Sequence, residues 1–190
     1  MTKRRSFSAL ISCLANRDGA AAVEFAILAP LLALVLAGAV DFGGVVFVKF
    51  GLDNAVSSAA NFAINGRASV TSTAGGNLAS TIGTIVANGS NAVGGTVIVN
   101  NGPNVTITGG VVGAASGTAA NANNCYCPTL SGTTVTWGTA ATCGSACTGG
   151  GKAGKFVSIE ANRIYTPLFS NYGFMDENQM VSTRAVVQTE

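Results

Sequence analysis

The sequence predicts an α+β protein: a long N-terminal helix of membrane-spanning and pilin-like character, followed by a small antiparallel β-sheet domain with disulfides. Three observations predict it. An almost wholly apolar run, GAAAVEFAILAPLLALVLAGAV over 19–40, follows a basic start with Lys3, Arg4, Arg5 and Arg17 against Asp18. Between Arg67 and Lys152 there is no Lys, Arg, Asp or Glu, and Gly-rich turns separate runs of β-branched alternation. Four cysteines, Cys125, Cys127, Cys143 and Cys147, cluster within that uncharged stretch. The organisation expected is a cytoplasmic basic leader over 1–19, a transmembrane and extended helix over 20–66, and an exported Gly/Asn/Thr-rich β domain over 67–190. A disordered low-complexity linker is the competing reading of the uncharged stretch.

Composition narrows the function classes. Charged residues are 9% of the chain, against about 25% in a typical soluble domain. A net charge of +2 offers no basic face for nucleic acid. The chain has no histidine, which removes the commonest general base, the commonest metal ligand and every Ser-His or Cys-His pairing. No constellation of residues points to catalysis, so the expectation is a non-enzyme with no cofactor and no metal.

The first helix follows from length and charge. At about 1.5 Å per residue, residues 23–48 cover a bilayer core of about 30 Å with some spare for tilt. Basic residues ahead of the run place the N-terminus in the cytoplasm and everything past residue 50 across the membrane. Nothing later is apolar enough to span again, so the topology expected is single-pass. Pro30 removes the helical bond to Ala26 and is expected to bend the rod. Ala29, Ala33 and Ala37 stand four apart and lead to Asp41, a small-residue face expected to pack on another helix with Asp41 near the contact.

Glu24 does not belong in such a run. A lone carboxylate costs roughly 2.5–3.5 kcal/mol at the bilayer centre. One reading leaves it wet near the interface. The other supplies a partner cation by proteolysis: cutting after Gly19 frees the amine of Ala20, and Glu24 becomes the fifth residue of the mature chain. In a helical assembly that carboxylate meets the new amine of a neighbouring subunit, neutralising both charges and setting the register.

The segment Arg17-Asp18-Gly19-Ala20-Ala21-Ala22-Val23-Glu24-Phe25-Ala26 resembles the start of the TadE-like family, pseudopilins of the tight-adherence (Flp) type IV pilus machinery. Gly19 with Glu24-Phe25 matches the prepilin processing pattern. Pro30, the Leu-rich run 31–36, Asp41-Phe42-Gly43 and Asn54-Ala55-Val56-Ser57-Ser58-Ala59-Ala60 match the rest of the family's helix. Gly44 departs from it, since a basic or polar residue often follows the Phe-Gly pair. The resemblance is strong over about residues 15–65. It implies cleavage by a membrane-embedded prepilin peptidase and work beside other pilins, pseudopilins and pilus assembly proteins. It also implies residence in the bacterial inner membrane, in contact with its lipid, with the C-terminal domain periplasmic or carried to the pilus or cell surface. A competing cleavage, after Ala39 at Ala37-Gly38-Ala39, would make the chain an ordinary secreted structural protein starting at Val40. A surface adhesin is the alternative from the binding class, weakened by the lack of a clustered aromatic platform.

Beyond the apolar run the helix is expected to continue over 45–65, with Leu52, Val56, Ala59 and Ala63 as one apolar stripe. A second helix is expected over 77–87. Strands are expected at 96–99 and 105–108, joined by Asn100-Asn101-Gly102-Pro103 as a hairpin, and again at 133–137, 155–164 and 179–188. Tyr165-Thr166-Pro167-Leu168 resembles a segment common near the C-terminus of the family and reads as an aromatic–Pro turn closing the core. In an exported domain the four clustered cysteines are expected to form two disulfides rather than a zinc site, whose usual spacing the Cys125/Cys127 pair lacks. Cys125–Cys127 with Cys143–Cys147 is disfavoured by strain, and the other two connectivities stay open. Cys13 would be lost with the leader. The sequon Asn104-Val105-Thr106 carries no weight in so Asn-rich a chain.

Overall fold

The computed structural model describes residues 19–132, 134–169, 175 and 178–190. The leader with Cys13 and Arg17 lies outside the described residues, as does Thr133 of the strand expected at 133–137. Helix α1, Ala20–Asn65, runs 46 residues, about 70 Å of rod. Ala and Leu dominate it, and both are strong helix formers. It passes through Pro30 and ends at Gly66, whose N–H still reaches the Phe62 carbonyl at 2.8 Å. A 3-10 turn, Arg67–Ser69, turns the chain towards α2, Gly75–Ser90. Helix α2 stops at Asn91, in the left-handed conformation that Asn tolerates at a helix end. It carries many hydroxyls, and those of Ser80, Thr81, Thr84 and Ser90 bond the carbonyls four residues back, so none spoils the helix.

The strands are β1 (Gly94–Val99), β2 (Asn104–Thr108), β3 (Val111–Val112), β4 (Thr129–Ser131), β5 (Thr134–Thr136), β6 (Phe156–Tyr165) and β7 (Gln179–Gln188). Five form an antiparallel sheet in the order β3-β2-β1-β6-β7. The expected hairpin is β1–β2, turned by Asn100 and Asn101, both at positive φ, with Gly102 N–H on the Val99 carbonyl. That left-handed pair suits the right-handed twist of the strands it joins. The expected strand at 133–137 pairs instead with β4 in a separate two-stranded sheet, outside the main one.

Both helices cover one face of the main sheet, giving two layers around one core. In register, Val105, Val97, Ile159 and Ala185 make a row across four strands. Leu52, Val56, Ala59 and Ala63 of α1 meet Leu78, Ile82 and Val86 of α2 above it, all buried. The apolar stripe expected over 52–63 is therefore the core stripe. The upper part of α1 belongs to the same packed unit as the sheet.

The uncharged stretch folds as α2 and β1 to β5, so the linker reading is overturned. Small residues and backbone pairing do for it what charge does elsewhere. A Cβ on Gly89 would come within 3.2 Å of the Ala55 Cβ, so α1 and α2 touch through their backbones. Asn100, fully buried, donates to the Ala122 carbonyl at 3.1 Å and the Asn124 carbonyl at 2.6 Å. Its side-chain oxygen accepts the Phe156 N–H at 3.2 Å. One amide thus ties the hairpin turn, the 3-10 turn Ala119–Asn123 and the start of β6, which satisfies its burial.

Cys125 bonds Cys143 and Cys127 bonds Cys147, across sequence separations of 18 and 20. Of the two connectivities left open, backbone pairing selects this one: Cys125 pairs with Ala141, which brings Cys143 within reach. With both pairs oxidised, these four sulfurs supply no thiolate for a zinc ion.

Candidate functional site

The lower part of α1 differs from everything above it. From Val23 to Val40 its large apolar side chains stand out on all sides; Phe25 is 67% exposed and Ile27 72%. A helix apolar all round belongs in a core or a membrane, and no part of the described fold buries this one. Among the described residues it is the one helix long and apolar enough to cross a bilayer. Gly19, Ala20, Glu24 and Phe25 all lie exposed, Gly19 as the cap that opens α1. Ala29 is half-buried, Ala33 exposed and Ala37 buried, while Phe42 and Gly43 face outwards.

The first acid after Glu24 is Asp41, and it is 1% exposed. From the sequence it is expected at a contact with another helix. Within its own chain the carboxylate already has partners. As β6 ends, the backbone turns at Thr166-Pro167 and comes down alongside α1. The Leu168 N–H donates to one Asp41 oxygen at 2.8 Å, and the Phe169 N–H to the other at 3.1 Å. The Tyr165 hydroxyl donates as well, and burial, with the charge and hydrogen bond of Asp41, holds its proton above the ordinary tyrosine range. Two backbone amides and a phenol convert an isolated charge into a satisfied group.

Gly44 makes this possible. A Cβ at 44 would lie 2.2 Å from the Tyr165 hydroxyl oxygen and 2.7 Å from the ring carbon that bears it. The position where the resemblance fails is thus where the aromatic ring lies against the helix. Gly43, one residue earlier, has nothing within 4 Å of a built Cβ.

A second tie lies above. Lys49 Nζ reaches Asp53 at 2.9 Å and the Ser182 carbonyl at 2.9 Å, and the Thr183 hydroxyl donates to Asp53. Burial works against the Asp53 charge, but the Thr183 and Lys49 hydrogen bonds and the Lys49 charge hold its carboxyl below the usual range. The helix is therefore fixed to β7 through Asp53 and to the loop after β6 through Asp41.

Residues 19–61 match the family model for TadE-like protein. No curated protein and no solved structure matches the chain. The TadE-like segment begins at the glycine before the proposed cut and takes in the apolar run, Asp41-Phe42-Gly43 and the Lys49–Asp53 pair. It stops short of α2 and the sheet. The groups that satisfy Asp41 therefore lie outside it, more than a hundred residues on.

Sequence reasoning singled out Asp41-Phe42-Gly43 and Tyr165-Thr166-Pro167-Leu168 separately. It missed that they meet, and it missed Phe169 altogether. The available signal was the pairing of an unexplained acid in an apolar helix with a Pro-containing turn after a strand, since such a turn leaves amides to be satisfied.

Proposed function

We propose that the chain is a pseudopilin-like, membrane-anchored protein that serves in assembly of a tight-adherence (Flp) type IV pilus. It is cut by a prepilin peptidase between Gly19 and Ala20, sits in the inner membrane through the apolar run that opens α1, and holds its domain on the periplasmic side among other pilins and assembly proteins. It works by packing and charge pairing, without an active site. The observation that carries this reading is the TadE-like match over residues 19–61, which begins at Gly19 and includes Glu24.

The exposed Glu24 is free to face a neighbouring subunit, and the new amine of Ala20 is the cation its position calls for. The helix runs unbroken through Ala37-Gly38-Ala39, with Ala37 buried against the chain's own fold. That favours the cut after Gly19 over one after Ala39.

N-terminal sequencing of membrane-extracted protein tests the reading: Ala20 as first residue supports it, and Val40 ends it. Glu24→Gln is expected to abolish piliation while leaving cleavage intact. Wild-type piliation in that variant would remove the charge-pairing role.

A further inference from the structure

We propose that the Pro167-Leu168-Phe169 loop is a second membrane contact, dipping into the leaflet on the domain's side so that the folded domain lies against the lipid rather than standing off it. The proposal rests on the membrane-anchored reading above and adds a site to it.

Depth comes first. Arg17 and Asp18 cannot enter the hydrocarbon, so the core begins no earlier than about residue 19. A core of about 30 Å takes about 20 helical residues, so its far boundary falls no earlier than about residue 39 and Asp41 lies at or below it on any later start. Phe169 lines a single concavity with Pro30, Ala33, Leu34, Ala37 and Val40, all below Asp41. Its ring therefore lies alongside the part of α1 that lipid surrounds. Leu168 is 75% exposed beside it, and Phe42 is 64% exposed on the helix at the same level. The apolar surface of the span is continuous with that of the loop.

Backbone chemistry comes second. Irregular backbone near hydrocarbon is tolerated only when its polar groups are satisfied within the protein. Pro167 has no N–H. The N–H groups of Leu168 and Phe169 are the two that Asp41 accepts. These three successive residues thus present no free backbone donor, and the two exposed side chains among them, Leu168 and Phe169, are apolar. An aliphatic and an aromatic side chain over a capped turn suit the acyl–headgroup boundary.

Full-length protein in phosphatidylcholine vesicles, with a doxyl quencher high on the acyl chain, tests this by fluorescence. The parent has a single tryptophan, the buried Trp137 of the domain, as its baseline. Leu168→Trp is placed at an exposed position and is expected to be quenched several-fold more than the parent. Val40→Trp, within the span, is expected to be quenched in the same vesicles. Quenching at 40 without quenching at 168 overturns the loop contact and leaves the anchor standing. Protection of the 168 indole from aqueous acrylamide in that case would assign the loop to a contact with a second copy of the chain instead. No quenching at either position defeats the anchor, and the loop contact with it.

Discussion

The two parts of α1 are one unbroken helix in two solvents. Below Asp41, Leu31 is 64% exposed and Leu36 56%; above it, Leu52 and Ala59 are wholly buried against the sheet while Asn54, Ser57 and Asn61 face outwards. The lower part is apolar on every side, so its neighbours must be apolar on every side. The upper part is amphipathic and finds its apolar partner within its own chain. Backbone geometry does not distinguish them. Side-chain distribution does: past Asp41 one face begins to bury, at Val48 and then Leu52, while Phe47 at 79% and Phe50 at 62% still stand exposed on the other.

The sharpest way to break that contrast is to truncate a leucine on each side of Asp41. Leu52→Ala removes a fully buried side chain from the core and is expected to cost about 2–5 kcal/mol in denaturant unfolding of the domain. Leu32→Ala, at a position 56% exposed, is expected to leave that unfolding within about 0.5 kcal/mol of the parent. Equal losses would mean the lower part is built into the domain after all.

A smaller effect, but one of opposite sign at adjacent residues, tests the boundary itself. Gly44→Ala drives a methyl into the Tyr165 ring, displaces the phenol from Asp41, and is expected to destabilise by about 1–3 kcal/mol. Gly43→Ala meets nothing and replaces a poor helix former with a good one, and is expected to stabilise by up to about 1 kcal/mol. Paired urea midpoints in detergent measure both. Matching signs would show that Tyr165 does not lie against the helix as described.

The smallest effect concerns the upper tie. The Asp53 carboxyl is held below its ordinary value, so its contribution is present above the unfolded carboxylate range, near pH 3.9, and is lost as pH falls through the lower folded value. Both partners are 42% exposed, so solvent screening keeps the contribution below about 1 kcal/mol. Asp53→Asn should therefore lower stability at neutral pH by less than about 1 kcal/mol, leave it unchanged below the folded carboxyl value, and so flatten the acid side of the stability–pH curve slightly. Tyr165 behaves in the opposite sense. Its raised value means its contribution is full below the ordinary tyrosine range and is lost as pH rises through the folded value.

Much of this architecture was legible without coordinates. The strand expected at 179–188 is β7 to the residue, and 155–164 differs from β6 by one position at each end. Both are long β-branched runs whose alternation is a local property. The hairpin at Asn100-Asn101 was legible because left-handed turns select Asn and Gly. Less visible were β3, two residues long, and β4, three, which are too short to show a period. The cysteine pairing was not readable either, because spacing limits which bridges strain allows but does not choose among the rest.

By itself the sequence determined the apolar rod, its lone acids, the amphipathic stripe above it and an uncharged domain rich in strands, because each depends on the order of side chains along a few turns. Only the tertiary structure decided what Asp41 is for. Its partners are Tyr165, Leu168 and Phe169, and two of the three bonds come from backbone amides, which are the same in every residue but proline and so leave no mark in a sequence. Only the fold, bringing the end of β6 down beside α1, could put them there.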